Sequence, residues 1–200
     1  MVRKISIGVI GIQGAISEHI TIMQKTLKTT DTPGTVFIVK SLEDLNKIDA
    51  LILPGGETTT ISKILYRSGL HEGIYKKIKE NNLPVMGTCA GCVLLASEIT
   101  DDKKDDIKLL NAMNMQVERN AFGRQKESFE KNINIEGFSY PYTAVFIRAP
   151  VIRKIGGKTK VLAKINKKIV MIRQDKLLAL SFHPELTNDL RVHKYFLGLI

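Results

Sequence analysis

The 200 residues are 44% hydrophobic and 25% charged, the balance of a globular chain with apolar material for one sizeable core, so a single domain over residues 1–200 is expected. No stretch approaches the roughly 18 to 20 uninterrupted apolar residues of a membrane span, and Met1-Val2-Arg3-Lys4 opens into a glycine-punctuated run without a cleavage pattern, which points to a cytoplasmic protein with no membrane association. The net charge of +10 would suit a polyanion, but the lysines are scattered, Trp is absent and no basic segment interleaves with aromatic residues; the excess reads as solvated surface, with nucleic acid a minor alternative.

The run Ile5-Ser6-Ile7-Gly8-Val9-Ile10-Gly11-Ile12 is apolar on both faces and stopped by Gln13-Gly14, the pattern of a buried strand in a parallel sheet. A helix is predicted over residues 15–27, then strands at 36–39 and 49–53, the second ended by Pro54-Gly55-Gly56. Helices follow at 58–67 and 72–80, a fourth strand at 83–87 and a helix at 90–99. Strands alternating with helices at this spacing imply right-handed crossovers and a doubly wound α/β sheet. Beyond the solvated charge run Asp101-Asp102-Lys103-Lys104-Asp105-Asp106, the pattern changes to short strands at 112–117, 142–147, 160–165, 168–173 and 177–182. These are expected to extend the same sheet as hairpins and mixed strands. In residues 188–200, Leu190, Val192, Tyr195, Phe196 and Leu199 recur at near-helical spacing.

Gly87-Thr88-Cys89-Ala90-Gly91 falls where a buried strand ends and a helix begins. Small residues on both sides of a nucleophile permit the tight strand-to-helix elbow best known from Gly-x-Ser-x-Gly hydrolases. A helix N-terminus favours thiolate over thiol, and it points the Ala90 N–H toward an oxyanion forming beside Cys89. A merely structural buried cysteine is the plain alternative. Cys89-Ala90-Gly91-Cys92 also reads as a redox Cys-x-x-Cys. Zinc is the weaker option, because His19, His71, His183 and His193 lack finger spacing, and no metal or organic cofactor is expected.

A thiol nucleophile needs a base, and Ser181-Phe182-His183-Pro184-Glu185 follows an apolar strand. Two residues apart in a segment that Pro184 is expected to keep extended, His183 and Glu185 can share a side, with the carboxylate orienting the imidazole. Pro54-Gly55-Gly56-Glu57-Thr58 ends another strand, where its glycines let a backbone N–H approach a ligand; a plain turn capped by Thr58 is the alternative.

In this order the three segments resemble the class I, triad-type glutamine amidotransferases. Gly11-Ile12-Gln13-Gly14-Ala15, Leu53-Pro54-Gly55-Gly56-Glu57-Thr58-Thr59-Thr60, Val117-Glu118-Arg119-Asn120-Ala121-Phe122-Gly123-Arg124-Gln125, Val145-Phe146-Ile147-Arg148-Ala149-Pro150 and Ser181-Phe182-His183-Pro184-Glu185-Leu186-Thr187 are similar to the glutaminase subunits of pyridoxal 5′-phosphate synthase. The resemblance implies a flavodoxin-like three-layer α/β sandwich with a mostly parallel central sheet. It also implies hydrolysis of L-glutamine, with ammonia passed by a tunnel to a synthase subunit that makes the vitamin B6 cofactor. By the same resemblance Cys89, His183 and Glu185 form the triad. Gly56, Glu57, Thr58, Arg119, Ile147 and Arg148 would hold glutamine, and the Gly56 and Ala90 N–H groups would form the oxyanion hole. Thr58 stands where the family usually has serine, and Cys92 where it usually has an aliphatic residue.

Overall fold

The computed structural model describes residues 3–100, 106–122 and 128–200. Residues 101–105 of the charge run and the Gly123-Arg124-Gln125 end of one motif lie outside them. In chain order the elements are β1 (Ile5–Ile10), α1 (Ile16–Thr29), β2 (Gly34–Val39), α2 (Leu42–Asn46), β3 (Ala50–Leu53), α3 (Thr58–Arg67), α4 (Leu70–Asn81), β4 (Val85–Thr88) and α5 (Ala90–Leu95). They continue with β5 (Ala96–Ile99), β6 (Met113–Glu118), β7 (Ser128–Ile133), β8 (Tyr142–Ile147), β9 (Val151–Ile155), β10 (Lys160–Ile165), β11 (Lys168–Gln174), β12 (Leu177–Leu180) and α6 (Arg191–Leu197), with a 3-10 turn at Pro184–Leu186 before α6.

Ten strands form one sheet in the order β2-β1-β3-β4-β12-β11-β9-β6-β5, with β10 pairing beside β11. The first five run parallel. At β11 the pairing turns antiparallel. Every residue of β3, β4 and β12 is buried, which explains why these strands read as unbroken apolar runs rather than as alternations. Apolar residues cover both faces of the sheet. Met23 and Leu27 of α1 and Phe196 of α6 pack with Ile7, Ile52 and Leu178, while Ile61, Leu65 and Ile74 of α3 and α4 pack with Leu51, Val85 and Ala179. Fully burying side chains of this size contributes about 1.5–3 kcal/mol each. Helices on both faces of a mixed, mostly parallel sheet make the expected three layers. No helix among the described residues is long and apolar enough to cross a membrane.

Three expectations need correction. The helix expected over 90–99 stops at Leu95, because Ala96 turns extended (φ −66°, ψ 158°) and residues 96–99 pair with β6. Ser97 Oγ then donates to the Met115 carbonyl at 2.9 Å, and Gln116 Nε2 to Glu98 at 2.7 Å. An unbroken apolar stretch such as Val93-Leu94-Leu95-Ala96 carries no period that would separate helix from strand. Residues 142–147 do not extend the main sheet. They pair antiparallel with β7 in a separate two-stranded sheet, whose Tyr142 and Phe146 pack against Phe182. The segment after His183 is not extended: Pro184 begins a 3-10 turn, for which its fixed φ suits the first position.

Candidate active site

The topology places three motifs side by side. β3, β4 and β12 are adjacent and parallel, so their carboxyl ends open on one edge, and Pro54-Gly55-Gly56, Cys89 and His183 follow those ends. Ligands bind outside the carboxyl ends of strands in open α/β sheets. A cleft of about 470 Å³ lies there, lined among others by Gln13, Gly56, Cys89, Arg119, Arg148 and His183.

Cys89 has φ 49° and ψ −105°, a left-handed strain that presents its side chain at the elbow. Its N–H donates to the Leu180 carbonyl at 2.8 Å, so the register with β12 holds Cys89 against the strand that leads to His183. Gly91 makes the elbow possible: a Cβ there would lie 2.0 Å from the Leu53 carbonyl oxygen. The thiol donates toward the Ile147 carbonyl at 3.7 Å. Ala90 begins α5, where the first N–H groups of a helix have no intrahelical partner.

The 3-10 turn folds Glu185 back under the imidazole, and the pair meets at 2.7 Å between His183 Nδ1 and Glu185 Oε1. His183 Nε2 is buried and makes no hydrogen bond of ordinary length among the described residues. Burial by itself would depress the basicity of His183, but the Cys89 sulfur and the Glu185 carboxylate outweigh it and raise the pKa to about 10. Burial likewise disfavours the Glu185 anion, yet His19 and His183 together hold it below its ordinary value. The resulting environment favours an imidazolium beside the Glu185 carboxylate. Gly55 packs against both partners, since a Cβ at that position would lie 2.6 Å from His183 Cε1 and 3.3 Å from Cys89 Cβ.

Around this centre stand the other residues singled out from the sequence. Gly56 adopts φ +140°, a conformation that L side chains rarely take. Glu57, rather than Thr58, caps α3: its carboxylate accepts from the N–H groups of Thr59 at 3.0 Å and Thr60 at 2.6 Å. Partial burial opposes ionisation of Glu57, but the Thr60 and Thr59 bonds prevail and lower its pKa to about 2, leaving a permanent anion beside the cleft. The Glu57 N–H in turn donates to Gln13 Oε1 at 2.9 Å.

Arg119, Ile147 and Arg148 also line the cleft. Arg148 has φ 40°, and the neighbouring Asn120 has φ 50°. The Ala121 N–H donates to the Ala149 carbonyl at 3.1 Å, tying the two arginine-bearing turns to each other. Lys168 reinforces the first turn by donating to the Ala121 carbonyl at 2.9 Å and by standing over the Phe122 ring at 4.4 Å. The His183 N–H donates to the Val145 carbonyl at 2.8 Å, which joins the hairpin to the histidine.

All ten residues expected at the site therefore border one cleft or, for Glu185, stand directly behind it. Sequence reasoning missed Lys168, for which no local signal exists, and His19, whose place on the buried face of α1 beside Ile22 and Met23 was the available clue. Cys92 faces the core with no exposed surface, and burial pushes its thiol far up. It is poorly placed to exchange disulfides beside Cys89.

This fold, with a cysteine at the elbow and a histidine–glutamate pair just beyond the end of the adjacent strand, is that of a class I glutamine amidotransferase. The chain belongs to the SNO glutamine amidotransferase family, which it matches over residues 9–200. It is 44% identical over 192 residues to the pyridoxal 5′-phosphate synthase subunit PdxT of Pyrococcus horikoshii, covering 96% of this chain and 97% of that protein. The Brevibacillus brevis protein of the same name is 46% identical over 194 residues, covering 97% and 96%. A crystal structure of a glutamine amidotransferase superposes with a TM-score of 0.85 at 43% identity, covering 96% of this chain and 97% of the other.

Proposed function

We propose that the chain hydrolyses L-glutamine to L-glutamate and ammonia through a thioester on Cys89, and passes the ammonia by a tunnel to a pyridoxal 5′-phosphate synthase subunit. The observation that carries this reading is the meeting of Cys89 and the His183–Glu185 pair at two adjacent strand ends, in a cleft that also presents Arg119, Arg148 and the Glu57 anion. Glutamine is a zwitterion with a neutral amide. Arginines suit its α-carboxylate, an acidic residue suits its α-ammonium, and the amide is left to face the thiol. The relatives' names supply the finer identity of the synthase partner.

The Cys89 thiolate attacks the amide carbon, and the electron pair of the carbonyl moves onto oxygen. The Gly56 and Ala90 N–H groups stabilise that oxyanion. Collapse breaks the carbon–nitrogen bond as the His183 imidazolium gives its proton to the departing nitrogen, which leaves as ammonia. Neutral His183 then takes a proton from water, and the hydroxide attacks the thioester through a second oxyanion. Glutamate departs and the thiolate–imidazolium pair is restored. Glu57, Thr58, Arg119, Ile147 and Arg148 hold the amino-acid end throughout, while Glu185 keeps the imidazole oriented.

Ammonia release from glutamine, measured with the synthase subunit present, tests the reading. Cys89→Ala should keep the circular dichroism spectrum and lose activity by about 10⁴-fold or more. A variant retaining a tenth of the wild-type rate, by the same rough standard, would overturn it.

A further inference from the structure

Behind the triad lies a histidine that the proposed chemistry leaves unused. His19 of α1 is completely buried, and its Nε2 stands 3.2 Å from Thr88 Oγ1 and 3.4 Å from Glu185 Oε2. Thr88 is the residue immediately before the nucleophile. Glu185 spends Oε1 on His183, so Oε2 is the oxygen left to compensate inside the core, where an unpaired anionic oxygen is costly. His19 Nδ1 has no hydrogen-bond partner among the described residues, whereas Nε2 faces two oxygens. The tautomer with its proton on Nε2 is the one that points a donor toward both oxygens. Burial keeps the ring itself from charging, against the pull of Glu185 and Glu18 and with the help of His183. His193 of α6 closes the far side, its ring centroid 6.3 Å from that of His19, and burial together with His19 keeps it neutral as well.

We propose that His19 is a positioning residue of the triad. Its Nε2 edge, hydrogen-bonded to Thr88 Oγ1 and 3.4 Å from Glu185 Oε2, faces the carboxylate oxygen that has no hydrogen bond of its own among the described residues, keeps the carboxylate turned toward His183 and ties it to the strand that carries Cys89. Three separate pieces of chain, α1, the end of β4 and the 3-10 turn, meet at that ring. The inference rests on the assignment of Cys89 and His183 as nucleophile and base. Removing the donor would raise the proton affinity of Glu185, weaken its hold on the imidazolium, and so make the Cys89 thiolate harder to form.

The test compares full-length wild type with His19→Leu, which fills a similar volume without a donor, and His19→Gln, whose amide N–H can reach toward the same oxygens. Two readouts apply: steady-state ammonia release with the synthase subunit present, and the rate of Cys89 alkylation by iodoacetamide against pH, followed by intact mass. His19→Leu should lower kcat by about tenfold or more with little change in KM, as for donors that act through another group, and should move the acid limb of the alkylation profile to higher pH. His19→Gln should recover most of both. A leucine variant with wild-type kcat and an unmoved profile would overturn the proposal. So would equal losses in both variants accompanied by equal falls in thermal midpoint, which is the signature of packing alone. A shifted alkylation profile in a chain whose wild type releases no ammonia from glutamine would sustain the positioning role while refuting the glutaminase reading.

Discussion

The two halves of the sheet divide the labour. In the parallel half, β3, β4 and β12 are buried on both faces and deliver the Gly55-Gly56 turn, Cys89 and His183 to one edge. The turn after β6 in the antiparallel half, and the end of the separate β7–β8 hairpin, bring Arg119, Ile147 and Arg148 to the same cleft. On the proposed reading bond making belongs to the first set and most of the ligand holding to the second, with Glu57 and Thr58 as the holding residues of the parallel half. The difference teaches that the rigid half, fixed by register and core packing, carries the groups whose geometry must not vary. Loops braced by a few hydrogen bonds carry the groups that meet the substrate.

Mutations can break that division. The largest effect is expected for His183→Gln, which should cut kcat by about 10⁴-fold while leaving KM nearly unchanged, as in triads that lose their base. Stopped or continuous ammonia assays would check it; a large rise in KM with preserved kcat would place His183 among the holding groups instead.

Next comes Gly91→Ala. A Cβ 2.0 Å from the Leu53 carbonyl oxygen has only backbone to displace, and overpacking of this kind costs about 1–3 kcal/mol or more. Thermal unfolding should show a clear fall together with lost activity, and an unchanged midpoint would mean that the elbow is looser than its packing implies.

Arg119→Ala is expected to act on the other side of the division, raising KM by roughly 10- to 100-fold, since charged hydrogen bonds are worth about 1.5–3 kcal/mol. A fall in kcat at constant KM would count against the division. Lys168→Met, which removes the brace at the Ala121 carbonyl and keeps the stem, should give a weaker version of the same KM effect.

The smallest effect concerns pH and stability. His183 is raised to about 10 from an ordinary value of 6.5. Its contribution is fully present below pH 6.5 and is lost as pH rises through about 10. The midpoint difference between wild type and His183→Gln should therefore shrink between those limits. A gap that widens with pH would mean that the imidazole is held neutral.

How much of this was legible depended on where a local rule met a local cause. Ile5–Ile10 and Ala50–Leu53 announce themselves because both faces are buried, and the Cys89 elbow because small residues must flank it. β5 did not, since its pairing with β6 is decided by a strand distant in sequence. β7, with mostly exposed residues, lacks an apolar face to read, and its place follows from β8 and the aromatic group formed by Phe122, Phe129 and Phe146. The members of the proposed triad could be named from their motifs. Their third dimension could not: the turn at Pro184 that tucks Glu185 under His183, and the buried His19 beyond it, depend on how α1 packs against the sheet.

The backbone of Cys89 sits where glycine rests easily and cysteine does not. A non-glycine residue held in such a region costs on the order of 1–3 kcal/mol. The most important residue of the chain is thus a local liability to its thermodynamic stability, tolerated because the surrounding strands overrule it. Selection for heat resistance alone would favour Cys89→Gly, and would reach a hardier protein with nothing left to do.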